Sequence, residues 1–104
     1  MSRSFRYQSS AAAELAAILD FIEQRSTIGA ISWLDEYEKT IARICETPEQ
    51  FPVAPESRDL SMSVQNATVR TRFGLPYRII FVERENEIVI LSVRGPGRAD
   101  FKLR

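Results

Sequence analysis

The sequence predicts an α+β domain: a strand, an antiparallel helix hairpin, then a three-stranded antiparallel meander, with the helices on one face of the sheet. Three observations carry this. Residues 11–47 space their apolar side chains with a helical period. Pro48, Pro52 and Pro55 then break the chain into a stiff connector. From Thr68 onward the period falls to two. A chain of 104 residues is the size of one domain, residues 1–104, and buries enough surface to fold without staples.

Ser4 to Gln8 reads as an opening strand, with Phe5 and Tyr7 alternating against Arg6. Ser9 and Ser10 are the expected caps of the first helix. Residues 11–25 lack Gly and Pro, and Ala11, Leu15, Ile18, Leu19 and Ile22 make one apolar stripe. Glu14 is expected in the first turn and Arg25 at the end, where each suits the helix dipole. Ser26 and Thr27 offer a second cap. The next helix is expected from Ile28 to Thr47, with Ala30, Leu34, Tyr37, Ile41, Ile44 and Cys45 on its stripe and Trp33 beside it. Pro48 stops it by excluding residue 47 from the helical region.

The stretch PEQFPVAPE is expected to be extended, and residues 57–67 to be mostly loop. Val69, Thr71 and Phe73 then share one strand face, with Arg70 and Arg72 on the other. Gly74 and Pro76 punctuate. Tyr77 to Arg84 and Glu87 to Arg94 read as strands joined by a turn at Glu85 and Asn86. Both strands are apolar on two sides, which places them inside the sheet. Gly95, Pro96 and Gly97 end the pattern. The tail RADFKLR stays open between disorder and order on a partner.

Composition excludes several classes. No apolar run is long enough to span a membrane. The N-terminus lacks the apolar core of a signal peptide. One cysteine, Cys45, cannot form an internal disulfide, so a reduced cytoplasmic protein is expected, with Cys45 as a small buried apolar group. The chain has no histidine, which removes histidine-dependent nucleophiles. No metal motif, phosphate loop or cofactor motif is present.

The zero net charge hides an asymmetry. Residues 11–50 carry eight acids against three bases, and residues 51–104 carry nine bases against six acids. Acidic helices and a basic sheet favour an anionic partner on the sheet side. Six arginines concentrate this charge between residues 70 and 98: Arg70, Arg72, Arg78, Arg84, Arg94 and Arg98. Arginine grips phosphate with a planar fork. Arg78 shares its strand face with Ile80 and Val82. Its alternatives are an anion-binding residue or a half-buried partner of Glu83 or Asp100.

Three stretches together resemble the RelE/ParE superfamily of bacterial type II toxins, also labelled plasmid-stabilisation proteins. They are AAAELAAILDFIEQRS, AISWLDEYEKTIARICETPEQFP and VRTRFGLPYRIIFVERENEIVILSVRGPGRAD. In order and spacing they are similar to the family's two helices and closing meander. The resemblance implies a toxin neutralised by a cognate antitoxin, with operator DNA engaged only indirectly through that antitoxin. It also implies one of two targets: DNA gyrase for ParE-like members, or mRNA on the ribosome for RelE-like members.

Arg78 matches the arginine of the family's Tyr-Arg strand motif. A nuclease would draw on Arg78, Arg72 and Arg98, yet arginine cannot serve as a base near neutral pH. Where many members carry His or Tyr, this chain has Arg94, Gly95, Pro96 and Gly97. Tyr77 and Asp100 are the remaining candidates for a proton acceptor. The ParE-like branch is therefore expected, with Arg70, Arg72, Arg78, Arg94 and Arg98 as target- or phosphate-binding residues. The antitoxin is expected in the apolar groove beside the helix hairpin and on the sheet edge.

Overall fold

A computed structural model describes residues 2–60, 62–72 and 74–96; the expectations for Phe73, Gly97, Arg98, Asp100 and the rest of the tail lie outside them. Strand β1 (Ser4–Tyr7) leads into helix α1 (Ser9–Glu23), and helix α2 (Thr27–Glu46) runs back against it. A short 3-10 turn (Pro48–Gln50) and one helical turn, α3 (Ser57–Leu60), punctuate the connector. Strands β2 (Gln65–Val69), β3 (Tyr77–Arg84) and β4 (Glu87–Arg94) complete the chain. The sheet order is β1-β4-β3-β2. Strand β1 lies parallel to β4, and the other pairings are antiparallel. The α+β class and the meander match the expectation, and β3 and β4 are the two inner strands.

The β3–β4 hairpin follows directly from its turn residues. Glu85 and Asn86 take φ of 51° and 65°, so both central positions are left-handed. That twist suits a two-residue hairpin loop. It sets Arg84 opposite Glu87. Further along, Ile80 faces Ser92 while Phe81 faces Ile90, so Leu91 is the extra residue of a bulge.

Helix α2 has the expected cap: Gly29 N–H donates to Ser26 Oγ at 2.9 Å. Helix α1 does not. It starts two residues earlier than expected, and Gln8 stands at its cap position with no side-chain bond. Ser9 and Ser10 are already inside the helix, where their hydroxyls cannot cap it. Glu14 consequently lies past the first turn and turns to the sheet instead of the helix dipole. Arg25 does serve the helix end, donating to Phe21 O at 3.3 Å.

Strand β2 is displaced from its expected position. It spans 65–69 instead of beginning at Thr68, so Arg70 and Arg72 follow the strand and do not lie on its face. Val69 pairs with Tyr77, which sets Pro76 next in line opposite Arg70. Proline has no N–H for the ladder, and pairing ends there. Gly74 N–H donates to Thr71 O at 3.2 Å in the turn that follows. A Cβ at Gly74 would clash with Thr71 Oγ1, so any larger residue there makes the threonine hydroxyl turn away.

Two apolar clusters cover the sheet. On the helix face, Trp33, Tyr37, Ile41, Ile44 and Cys45 of α2 pack with Ile79, Phe81, Ile88, Ile90 and Val93. Ala11 of α1 is buried there, and Leu15, Ile18, Leu19 and Ile22 are partly buried. On the other face, Ala54, Val64, Leu60 and Met62 pack over Ile80, Val82, Val89 and Leu91. Each such aliphatic group contributes roughly 1.5–3 kcal/mol when fully buried. Residues 52–60 and 62–64 therefore pack as a strap over the second face, where a plain connector and mostly loop were expected. Ala54 N–H donates to Val64 O, Asn66 N–H to Pro52 O, and Ser57 Oγ bridges the backbone of Val64.

Candidate functional site

Four of the candidate arginines, Arg70, Arg72, Arg78 and Arg94, lie at one end of the sheet, where β2 stops, β3 begins and β4 ends. Arg78 faces Arg94 directly across β3 and β4. Two guanidinium groups opposite one another repel, so each needs an acid. The fold supplies both acids from distant segments. Arg78 forks onto Glu56 of the strap, with Nη1 and Nη2 at 2.8 and 2.7 Å from the two carboxylate oxygens. Arg78 Nη2 also donates to Asn66 Oδ1 on β2 at 3.2 Å. Glu56 is fully buried (0% exposed), while the Arg78 side chain is 30% exposed. Arg78 is thus a half-buried ion-pair partner. Among the described residues its acid is Glu56 and not Glu83, which pairs with Arg3; the expectation for Asp100 lies outside the described residues.

Arg94 meets Glu14 of α1 at 3.3 Å. The same carboxylate accepts from Ser92 Oγ at 2.8 Å and from Val93 N–H at 3.1 Å. One side chain of α1 thereby holds three consecutive residues of β4. Glu14 and Arg94 line a cleft of about 340 Å³ together with Ala17, Ile18, Phe21, Tyr77 and Pro96.

Arg70 and Arg72 are exposed beyond the end of β2. Arg72 lines a second, larger groove that shares Phe21, Tyr77 and Pro96 with the first. The site is thus an apolar cleft running between the helix hairpin and the sheet end, with Arg72 and Arg94 in its walls. Sequence reasoning brought the arginines to one region but missed Glu14 and Glu56. Glu56 sits among prolines with no periodic signal, and Glu14 reads locally as an ordinary solvated helix residue.

The Tyr77 ring stands edge-on to Trp33, with centroids 5.2 Å apart. The hydroxyls of Tyr7 and Tyr37 share a hydrogen bond of 2.7 Å. Burial first, and that bond second, hold the Tyr37 phenol well above its ordinary range, so it stays protonated. Burial likewise pushes the Cys45 thiol up, against a smaller opposing effect of Arg3. Such a thiol is a poor nucleophile. Among the described residues, no three His, Cys, Asp or Glu side chains gather as a metal site. Among the same residues, no helix is long and apolar enough to cross a membrane.

Searches of curated proteins and of solved structures each returned no match. A family model does match, over residues 5–99: the ParE toxin of the type II toxin-antitoxin system, parDE. That span runs from β1 through β4 and takes in both clefts and the Arg78–Glu56 and Arg94–Glu14 pairs, so the chain belongs to the ParE toxin family.

Proposed function

We propose that this toxin arrests growth by acting on DNA gyrase in the cytoplasm, and that a cognate antitoxin neutralises it by covering its apolar clefts. Membership of the ParE family implies the antitoxin partner. The fork between Arg78 and the buried Glu56 is the observation that favours gyrase over mRNA. Cleavage by attack of a 2′-hydroxyl requires a group that takes a proton and cations that hold the phosphate. Here the carboxylate nearest Arg78 is fully buried and grips that arginine with both oxygens. A carboxylate in that state stabilises the strap and is withheld from acid–base work. The exposed Arg70 is then a cation offered to a protein target, and operator DNA is reached only through the antitoxin.

Purified gyrase tests this reading. Added toxin is expected to inhibit supercoiling in proportion to dose, and Arg70→Glu is expected to weaken inhibition without altering the fold by circular dichroism. Full supercoiling at large toxin excess, together with new mRNA 5′ ends after induction, would assign the RelE-like activity instead.

A further inference from the structure

The strap presents an outer surface that lines neither cleft. Val53 stands 62% exposed on it, and Pro52, Pro55 and Arg58 are exposed as well. The surface is held in place from below. Val53 bridges to Gln65 of β2, Glu56 is forked to Arg78, and the prolines fix their own φ. A surface ordered in advance loses little freedom on binding.

Its charge says what fits there. Arg58 lies on α3, two residues after Glu56. Arg70 lies two residues after Thr68, which stands opposite Arg78 on β3. Both are exposed, and among the described residues neither side chain has an acid partner. Glu56 is buried and spent on Arg78. The two helices occupy the other side of the sheet, and residues 11–50 carry eight acids against three bases. That asymmetry turns an acidic partner away from the helices and toward the strap. A phosphate backbone would gain only from the two arginines, whereas Val53 and the prolines pack on the apolar groups of a protein.

We propose that the strap surface receives an acidic segment of the gyrase protein, an inference that rests on the gyrase reading above. Carboxylates of that segment pair with Arg58 and Arg70, and its apolar side chains pack on Val53. Arg70 marks the border with the larger cleft, because Thr71 and Arg72 line that cleft. A protein seated in the cleft therefore crowds gyrase at Arg70, while Arg58 stays outside the cleft.

The test passes purified gyrase over immobilised toxin at low and high salt. Binding is expected to weaken with salt. Arg58→Glu and Val53→Asp are each expected to weaken it about tenfold, with the circular dichroism unchanged. Arg84→Glu, at the hairpin end of the sheet, is expected to bind as the unaltered toxin does. Equal losses in all three variants would make the effect one of net charge and overturn the proposal. Full binding and inhibition by the Arg58→Glu and Val53→Asp toxins would also overturn it, while the gyrase reading stands. If the unaltered toxin neither binds gyrase nor inhibits supercoiling, that reading fails and the proposal with it. A short DNA duplex that binds the toxin, and is lost in Arg58→Glu, assigns the surface to nucleic acid. Self-assembly that Arg58→Glu abolishes assigns it to the acidic helices of a second copy. Either result also overturns the proposal.

Discussion

Arg78 on β3 grips both carboxylate oxygens of Glu56, twenty-two residues upstream in the strap. Through that fork the central strand fixes the segment that covers the second sheet face. Arg78 thus has a structural partner in this chain, and the strap's position depends on it.

Removing one member of a buried pair strands the other. Arg78→Ala should destabilise the protein by about 3 kcal/mol, near the low end for a buried pair because Arg78 is partly solvated. The double variant Glu56→Met, Arg78→Met should recover much of that loss, since no buried charge is left behind. Urea midpoints of the three proteins measure this. Equal destabilisation of the single and double variants would show that the fork itself, and not the stranded acid, carries the stability.

Glu14 joins α1 to the end of β4 through Ser92, Val93 and Arg94. Glu14→Ala should cost about 2 kcal/mol, the scale of hydrogen bonds to a charged group. The Val93 amide should lose hydrogen-exchange protection more than that of Ile90. Uniform loss across β4 would mean that α1 packing, not this carboxylate, secures the strand.

Tyr37 gives the fold an alkaline limit. An unfolded tyrosine titrates near pH ~10. In the folded protein burial and the Tyr7 bond keep the phenol protonated well above that. Above pH ~10 the unfolded chain therefore releases a proton that the folded chain keeps, so stability is complete below that pH and falls as pH rises. Tyr37→Phe should flatten the fall while costing about 1 kcal/mol at neutral pH. Denaturant titrations at pH 8 and above test the slope.

The two helix starts should respond differently to serine removal. Ser26→Ala deletes a side-chain cap and should cost about 1 kcal/mol. Ser9→Ala and Ser10→Ala touch no cap and should stay within about 0.5 kcal/mol. Thermal melts of the three variants provide the comparison.

Much of the fold was legible where one local rule dominated. The hairpin from Tyr77 to Arg94 was readable to the residue, because two apolar strands flank a two-residue turn. The stop of α2 was readable from Pro48, with Thr47 outside the helical region at φ −139°. Strand β2 was misplaced because Val69, Thr71 and Phe73 alternate attractively in sequence. The missing N–H of Pro76 ends the ladder before that alternation can be used. The strap was illegible because its stability comes from Glu56 meeting Arg78 and from apolar contacts to β3 and β4, none of which is local. The site was half legible for the same reason: arginine clustering shows in sequence, while the identity of each acid partner is decided by topology.

The parallel contact of Ser4–Tyr7 with Glu87–Ile90 carries a consequence for biosynthesis. The first strand waits beside an empty place until the last one leaves the ribosome, and neither helix gains its complete floor before then. Sequence-distant pairing of this kind is slow to form. A nascent chain therefore lacks its finished sheet for most of its translation, and a message broken ahead of the final hairpin yields no complete fold.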